Sequence, residues 1–172
     1  MKKLCLSFAP PKTWRVQDKH TDEKWRKLRL KILMRDNYTC QYCGFRAEKW
    51  QIVHHTDGNP NNNKDTNLKT ICPMCNLIHH SGQGCAVQKV VDLYKKSKYS
   101  QNEIIRITRK MRAENKADYD IIHYLGLEDK VPFKMDISYL SELFGFVSSR
   151  KTTEDWTQKA LKYGYKVVKE TK

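Results

Sequence analysis

Two cysteine pairs constrain the fold of this chain more than any other feature. Cys40-Gln-Tyr-Cys43 and Cys72-Pro-Met-Cys75 each separate their thiols by two residues. That spacing lets both thiolates of a pair point at one tetrahedral ion, and two such knuckles complete a four-cysteine zinc site. Disulfides are improbable in a cytosolic protein, and a redox CxxC motif is not expected twice. The sequence therefore predicts a structural Zn2+ bound by Cys40, Cys43, Cys72 and Cys75.

The predicted zinc ion should act in folding. The segment between the knuckles is short and rich in polar residues, so it cannot form a stable hydrophobic core without a cross-link such as a bound metal ion. Gly44 directly follows the first pair and suits the tight turn of a zinc knuckle. Cys5 and Cys85 are left over, and we expect them to be free thiols.

Composition favours a polyanionic partner. The chain has 172 residues and a net charge of +14, from 33 Lys and Arg against 19 Asp and Glu. Neutralising phosphates releases condensed counterions, so such a surplus favours nucleic acid, although a merely soluble basic protein has the same composition. No stretch approaches the ~20 apolar residues of a membrane span. Pro10 and Pro11 end the short apolar run near the start, so we expect a cytoplasmic protein rather than a signal peptide.

The first half divides into an arm and a compact core. Residues 1–21 contain prolines and should form an extended N-terminal arm. A helix is predicted from Asp22 to about Arg35, capped by Thr21 or Asp22. Its charged face is either solvated or directed at phosphates, and the residues assigned to DNA binding there are Lys24, Lys27, Arg29, Lys31 and Arg35. Two short strands, 51–53 and 68–71, should flank a polar loop, and a helix should begin near Met74.

The second half, residues 86–172, is predicted to be mostly helical. One helix is expected over Val87–Tyr94, a second over Ile104–Met111 after a Ser100 cap, and a third over Asp120–Leu125, ended by Gly126. The string LSELFGFVSSRKT loosely resembles a helix-turn-helix, although any helical hairpin looks similar. Arg150 and Lys151, in this string, are assigned to DNA binding.

Histidines and asparagines lie between and just after the knuckles in a recognisable order. His54-His55 ends the first strand, Asn67-Leu68 begins the second, and Asn76 directly follows the second cysteine pair. In this order they resemble the HNH endonuclease family, over about residues 25–85. The resemblance implies an α+β fold: a small ββα-metal core with a four-cysteine zinc site within residues 22–85, flanked by the basic helix and the helical second half.

The same resemblance implies a catalytic role for each signature residue. His55 would be the general base that activates water, and Asn67 would orient the loop around it. His54 and Asn76 would bind a catalytic divalent ion that contacts the scissile phosphate. His80, one helical turn after Asn76, is either a third ligand or a surface histidine. Without a carboxylate the site would hold Mg2+ weakly, so Mn2+, Ni2+ or Zn2+ could serve instead.

The sequence therefore predicts a metal-dependent DNA endonuclease. The resemblance implies that it hydrolyses phosphodiester bonds of double-stranded DNA to 5′-phosphate and 3′-hydroxyl ends, and cutting both strands would require a homodimer or sequential nicking. Two alternatives stay open at this point. One is a non-catalytic zinc module that binds nucleic acid or a protein partner, and the other is a nuclease acting on RNA or branched DNA.

Overall fold

The computed structural model of this chain describes residues 1–8 and 22–149. The later part of the N-terminal arm, residues 9–21, lies outside the described residues. So do Arg150, Lys151 and the second helix of the predicted helix-turn-helix.

The first helix, α1 (Glu23–Arg35), confirms the predicted helix and its cap. The Asp22 side chain accepts a hydrogen bond from the backbone N–H of Lys24 at 2.9 Å, which satisfies one of the donors left unpaired at a helix start. The helix buries Trp25, Ile32 and Leu33 against Val53 and Leu68. This apolar contact packs the helix on the strand pair that follows it.

Strands β1 (Ile52–His55) and β2 (Leu68–Ile71) form the predicted antiparallel pair, and helix α2 (Pro73–His79) follows directly. Ile52 pairs with Ile71 and His55 with Leu68. The long polar loop therefore connects the two strands at the end where His55 lies. Pro73 occupies the first turn of α2, where its missing N–H costs nothing. The two histidines at the end of β1 thus lie beside the first turns of α2.

The second half combines helices with a three-stranded antiparallel sheet. A π-helical turn (Gly82–Val87) leads into β3 (Val91–Lys96), which lies between β4 (Glu128–Val131) and β5 (Phe144–Val147). Around the sheet lie α3 (Gln101–Ala113), α4 (Asp118–Leu125) and α5 (Ile137–Ser141). Ser100 begins α3 with a capping box to Glu103, and Gly126 ends α4 at φ 62°, as their positions in the sequence predict.

Two predictions for this half are wrong: the helix over Val87–Tyr94 and the helix-turn-helix. Val91–Lys96 is the central strand of the sheet rather than part of a helix. Its apolar run is short, and runs of that length do not separate strand from helix by periodicity alone. The helix-turn-helix is wrong as well, because Gly145 lies inside β5 and not in a turn between helices.

The N-terminal residues 1–8 join the two halves. Leu4 and Leu6 are buried in the same hydrophobic cluster as the four knuckle cysteines, Ile78 and Val91. The Leu4 backbone N–H donates to Asn102 of α3, and the Ser81 backbone N–H donates to the Ser7 carbonyl. An apolar segment near the start of the chain is therefore part of the core.

Gly145 marks the tightest point of that junction. A Cβ placed there would lie 2.6 Å from Ile78 Cδ1 and 3.0 Å from Leu6 Cδ2. We expect Gly145→Ala to lower the free energy of unfolding by about 1–3 kcal/mol, because the packed core must shift to admit a methyl group. Urea denaturation followed by circular dichroism measures this. Ser138→Ala, at an exposed site, is the control, and equal stabilities of the two variants would contradict the expectation.

Candidate functional site

The four knuckle cysteines come together in one buried cluster, as predicted. The sulfurs of Cys40, Cys43, Cys72 and Cys75 all lie within 4.8 Å of one another, and the four residues are 0–3% exposed. Cys43 Sγ and Cys72 Sγ are 3.7 Å apart. Tetrahedral zinc with Zn–S bonds of about 2.3 Å places its sulfurs about 3.8 Å apart, whereas a disulfide needs about 2.05 Å. The cluster therefore fits a metal ion such as zinc.

Local backbone geometry positions each thiol. In the first knuckle, Gly44 adopts φ 79°, and its N–H donates to the Cys40 carbonyl at 2.9 Å. This left-handed conformation favours glycine because it has no Cβ. In the second knuckle, Cys72 is the N-cap of α2, and its sulfur accepts from the Cys75 N–H at 3.5 Å. The strand pair carries Cys72 at the end of β2, so hairpin and cluster form together.

The electrostatics of the cluster favour a thiolate at Cys72. Burial alone would raise the pKa of this thiol, but hydrogen bonds from Cys40, Cys43 and Cys75 and the charge of Arg109 hold the pKa well below its usual range. A thiolate is the form that binds metal.

Removing one of these thiols should release the metal and unfold the core. We expect the purified protein to hold about one zinc ion per chain, and Cys72→Ser to lose it together with most of its cooperative unfolding transition. Elemental analysis and thermal denaturation measure the two effects. Cys5→Ser, which changes an exposed thiol, is the control. Full stability of a metal-free Cys72→Ser protein would contradict a folding role for the ion.

Three histidines from β1 and the end of α2 form a second cluster. The ring of His54 lies 4.4 Å from that of His79 and 5.0 Å from that of His80, between centroids. His54 is 5% exposed, and its Nδ1 has no hydrogen-bond partner. The cluster borders a cavity of about 200 Å³ lined by Ile52, Val53, His54, His55, Gly58, Pro60, Asn76 and His80. The structure thus brings together His54, His55, Asn76 and His80 of the predicted site.

Burial keeps these imidazoles neutral. It lowers the pKa of His54 to about 2, with the neighbouring histidines adding to the effect, and lowers the pKa of His80 to about 4. His79 is shifted in the same direction by the same cause. A protonated imidazole would lose its hydration here, and the charge of Asp57 offsets only part of that cost for His54.

His55 packs against residues of its own chain. Its ring stacks on Trp25 of α1 with centroids 5.4 Å apart, and its Nε2 lies 3.0 Å from Asn63 Oδ1. Both contacts hold the imidazole between helix and loop.

Asn67 organises the polar loop between the strands. Its Oδ1 accepts hydrogen bonds from the Thr56 hydroxyl and the Asp57 N–H, while its Nδ2 donates to Asp57 Oδ1 and to the Asn62 carbonyl. The side chain therefore contacts both ends of the loop.

Several of the basic residues assigned to DNA binding on α1 are paired within the chain. Lys27 pairs with Glu23 at 2.8 Å and Lys31 with Asp65 at 2.6 Å. Arg35 pairs with Asp36 and donates to the Leu68 carbonyl, and Arg29 donates to the Gln51 carbonyl at 2.7 Å. Lys24 is exposed. Much of this charge thus ties α1 to the core.

Comparison with known proteins identifies a relative of a different kind. No protein-family model matches the chain. A stretch of 69 residues, 40% of the chain, is 41% identical to the type 4 apparatus protein DotN of Legionella pneumophila. The relative is not a nuclease by name. The chain matches only about a third (32%) of the relative's length.

This relative overturns the predicted DNA endonuclease activity and the predicted double-stranded DNA partner. The prediction of an enzyme is wrong, and the catalytic divalent ion has no support. The geometry agrees, since no carboxylate is among the residues that line the histidine cavity. A hard cation such as Mg2+ would meet only neutral nitrogen and amide groups there. Of the charges on α1 that seemed available for phosphates, those of Arg29, Lys31 and Arg35 bond to residues that follow the helix in the chain.

No helix among the described residues is long and apolar enough to cross a membrane.

Sequence reasoning missed some residues that complete the two clusters. Trp25 and Asn63 contact His55, and His79 packs on His54. Arg109 reaches the cysteine cluster from α3, although it is far from the knuckles in sequence. The sequence contained one indication of His79, because it adjoins His80. Its helical spacing, however, predicted that it lies on a different face of the helix from Asn76 and His80.

The neutral histidines predict loss of stability in mild acid. Below an unfolded pKa of about 6.5, the unfolded chain takes up protons that folded His54 and His80 refuse, so the free energy of unfolding falls with pH through this window. For His80 the loss should be ~1–2 kcal/mol between about pH 7 and about pH 5. Urea titrations across this range measure it. His80→Asn should flatten the dependence, and the exposed His123→Asn should not; identical pH profiles for the two variants would contradict the assignment.

Proposed function

We propose that this chain is a zinc-braced, non-enzymatic component of a type 4 apparatus that acts by binding other proteins. The similarity to DotN carries the proposal. The buried cysteine cluster supports it, because such a cluster makes a short, polar segment rigid enough to serve as a binding platform.

We further propose that residues 37–85 retain an HNH-type ββα core in a structural role. Strands β1 and β2, helix α2 and the two cysteine pairs occur in the order of that fold. At the signature positions, Asn67 bridges both ends of the loop, His55 stacks on Trp25, and His54 packs among imidazoles. Through these internal contacts, the signature residues stabilise the core that serves as the binding platform.

The outer face of α1 is the proposed contact surface for a protein partner. Leu30 and Met34 are 50% and 62% exposed, and they lie one turn apart on this helix. Exposed apolar residues in this arrangement are typical of a helix that packs against a partner. The net charge of +14 favours an acidic partner segment, because charge complementarity speeds association and excludes wrong partners.

Isolation of the tagged protein from its own cells tests this function. We expect subunits of a type 4 apparatus to co-purify with the wild-type chain, and Leu30→Asp with Met34→Asp to reduce their recovery by about tenfold or more, because charges replace the apolar contact. Quantitative mass spectrometry measures the recovery. Ile137→Asp changes an equally exposed apolar residue on α5 and should leave recovery unchanged.

Two outcomes would count against the proposal. If no apparatus subunit is recovered with the folded, zinc-loaded protein, the function itself is wrong. If the subunits are recovered equally with the α1 and Ile137 variants, the function stands and the assigned surface is wrong.

A further inference from the structure

Helix α3 crosses the cysteine cluster and contacts both knuckles. Asn102 and Arg109 lie two helical turns apart and therefore share one face of the helix. The Asn102 Nδ2 donates to the Tyr42 carbonyl, inside the first knuckle, at 2.6 Å. Its Oδ1 accepts from the Leu4 N–H at 2.9 Å. The start of α3 is thus anchored on the backbone of the first cysteine pair.

Arg109 reaches the sulfur atoms themselves. Its Nη2 lies 3.5 Å from Cys72 Sγ, within the range of an N–H···S hydrogen bond. The guanidinium carbon lies 3.7 Å from the centroid of the Phe45 ring, which follows the first knuckle. The flat guanidinium therefore packs on a side chain of one knuckle and donates to a ligand atom of the other.

The charge of the cluster explains why a cation is favourable at this position. Four thiolates with one Zn2+ carry a net charge of about −2. All four cysteines are buried, so water screens little of this charge. A guanidinium keeps its positive charge at any pH at which the protein is folded, and it donates in the plane of its fork. It offsets part of the negative charge without competing for the metal.

We propose that Arg109 is a positioning residue of the zinc centre, which stabilises the Cys72 thiolate, slows zinc loss and couples metal binding to the docking of α3. The N–H···S contact at 3.5 Å lowers the energy of the sulfur lone pairs and places a positive charge beside the buried anionic cluster. Because Arg109 lies on a helix of the second half, zinc binding and the packing of the two halves stabilise each other. This role is independent of the partner that the protein binds.

Zinc competition with a chromophoric chelator tests the role of Arg109. We expect Arg109→Ala to weaken zinc affinity by about tenfold or more, as loss of an outer-shell partner of a metal ligand does. Arg109→Lys keeps the charge but not the planar guanidinium. Its zinc affinity should therefore lie between that of Arg109→Ala and that of the wild type. Lys95→Ala, which removes a charge from an exposed side chain of β3, is the control and should leave the affinity unchanged.

A spectroscopic measurement separates this role from simple loosening of α3. In the cobalt-substituted protein, loss of the hydrogen bond raises the energy of the sulfur lone pairs, so the thiolate-to-cobalt band should move to longer wavelength in Arg109→Ala. Ile104→Val loosens α3 in its other hydrophobic cluster, away from the sulfurs, and should leave the band in place. An unchanged band together with zinc affinity within twofold of the Lys95→Ala control would overturn the proposal. If Arg109→Ala does not fold, Arg109→Met gives the same test, because it removes the charge and the N–H donors and keeps a long, unbranched side chain.

Discussion

The convergence of four thiols is the interaction on which the rest of this structure depends. The first pair lies in a turn after α1, and the second lies at the start of α2, so the cluster joins segments that are distant in the sequence. The cysteines belong to the same buried cluster as Leu4, Ile78 and Val91. Charge in such a cluster is tolerated only when it is compensated, and a divalent metal ion together with the Arg109 guanidinium would compensate most of it.

The second half is held to this centre by polar contacts as well as by packing. Gln101 exchanges two hydrogen bonds with the backbone of Gly145 and so covers the outer edge of β5. Arg112 is 8% exposed, pairs with Asp118 at 2.8 Å and donates to the Val147 carbonyl. These side chains act as backbone partners for a strand that would otherwise present an open edge. Helix α3 therefore serves both the sheet and the cysteine cluster.

The signature residues show how a catalytic pattern can describe a structure without describing its function. The four signature residues lie where their order in the chain implies. His54 and His55 end β1, Asn67 directly precedes β2, and Asn76 lies in the first turns of α2. A nuclease would also need an accessible base and anionic ligands for a hard cation. Here, His55 stacks on Trp25 and contacts Asn63, and Asn67 bonds to Asp57 of the loop, so both side chains are held in place by their own chain. Such engagement depends on residues that no motif includes.

Local patterns in the sequence determined the two cysteine pairs, the cap of α1, the two short strands, the start of α3 and the end of α4. Each is specified by residues within a few positions of one another, where spacing and backbone preference suffice. Only the tertiary structure decided that Val91–Lys96 is a strand, that Leu4 and Leu6 enter the core, and that Arg109 reaches Cys72. The reason is that these are contacts between distant segments. A short apolar run becomes a strand when neighbouring strands complete its hydrogen bonds, and a charge becomes part of a metal centre when a helix brings it to the sulfur.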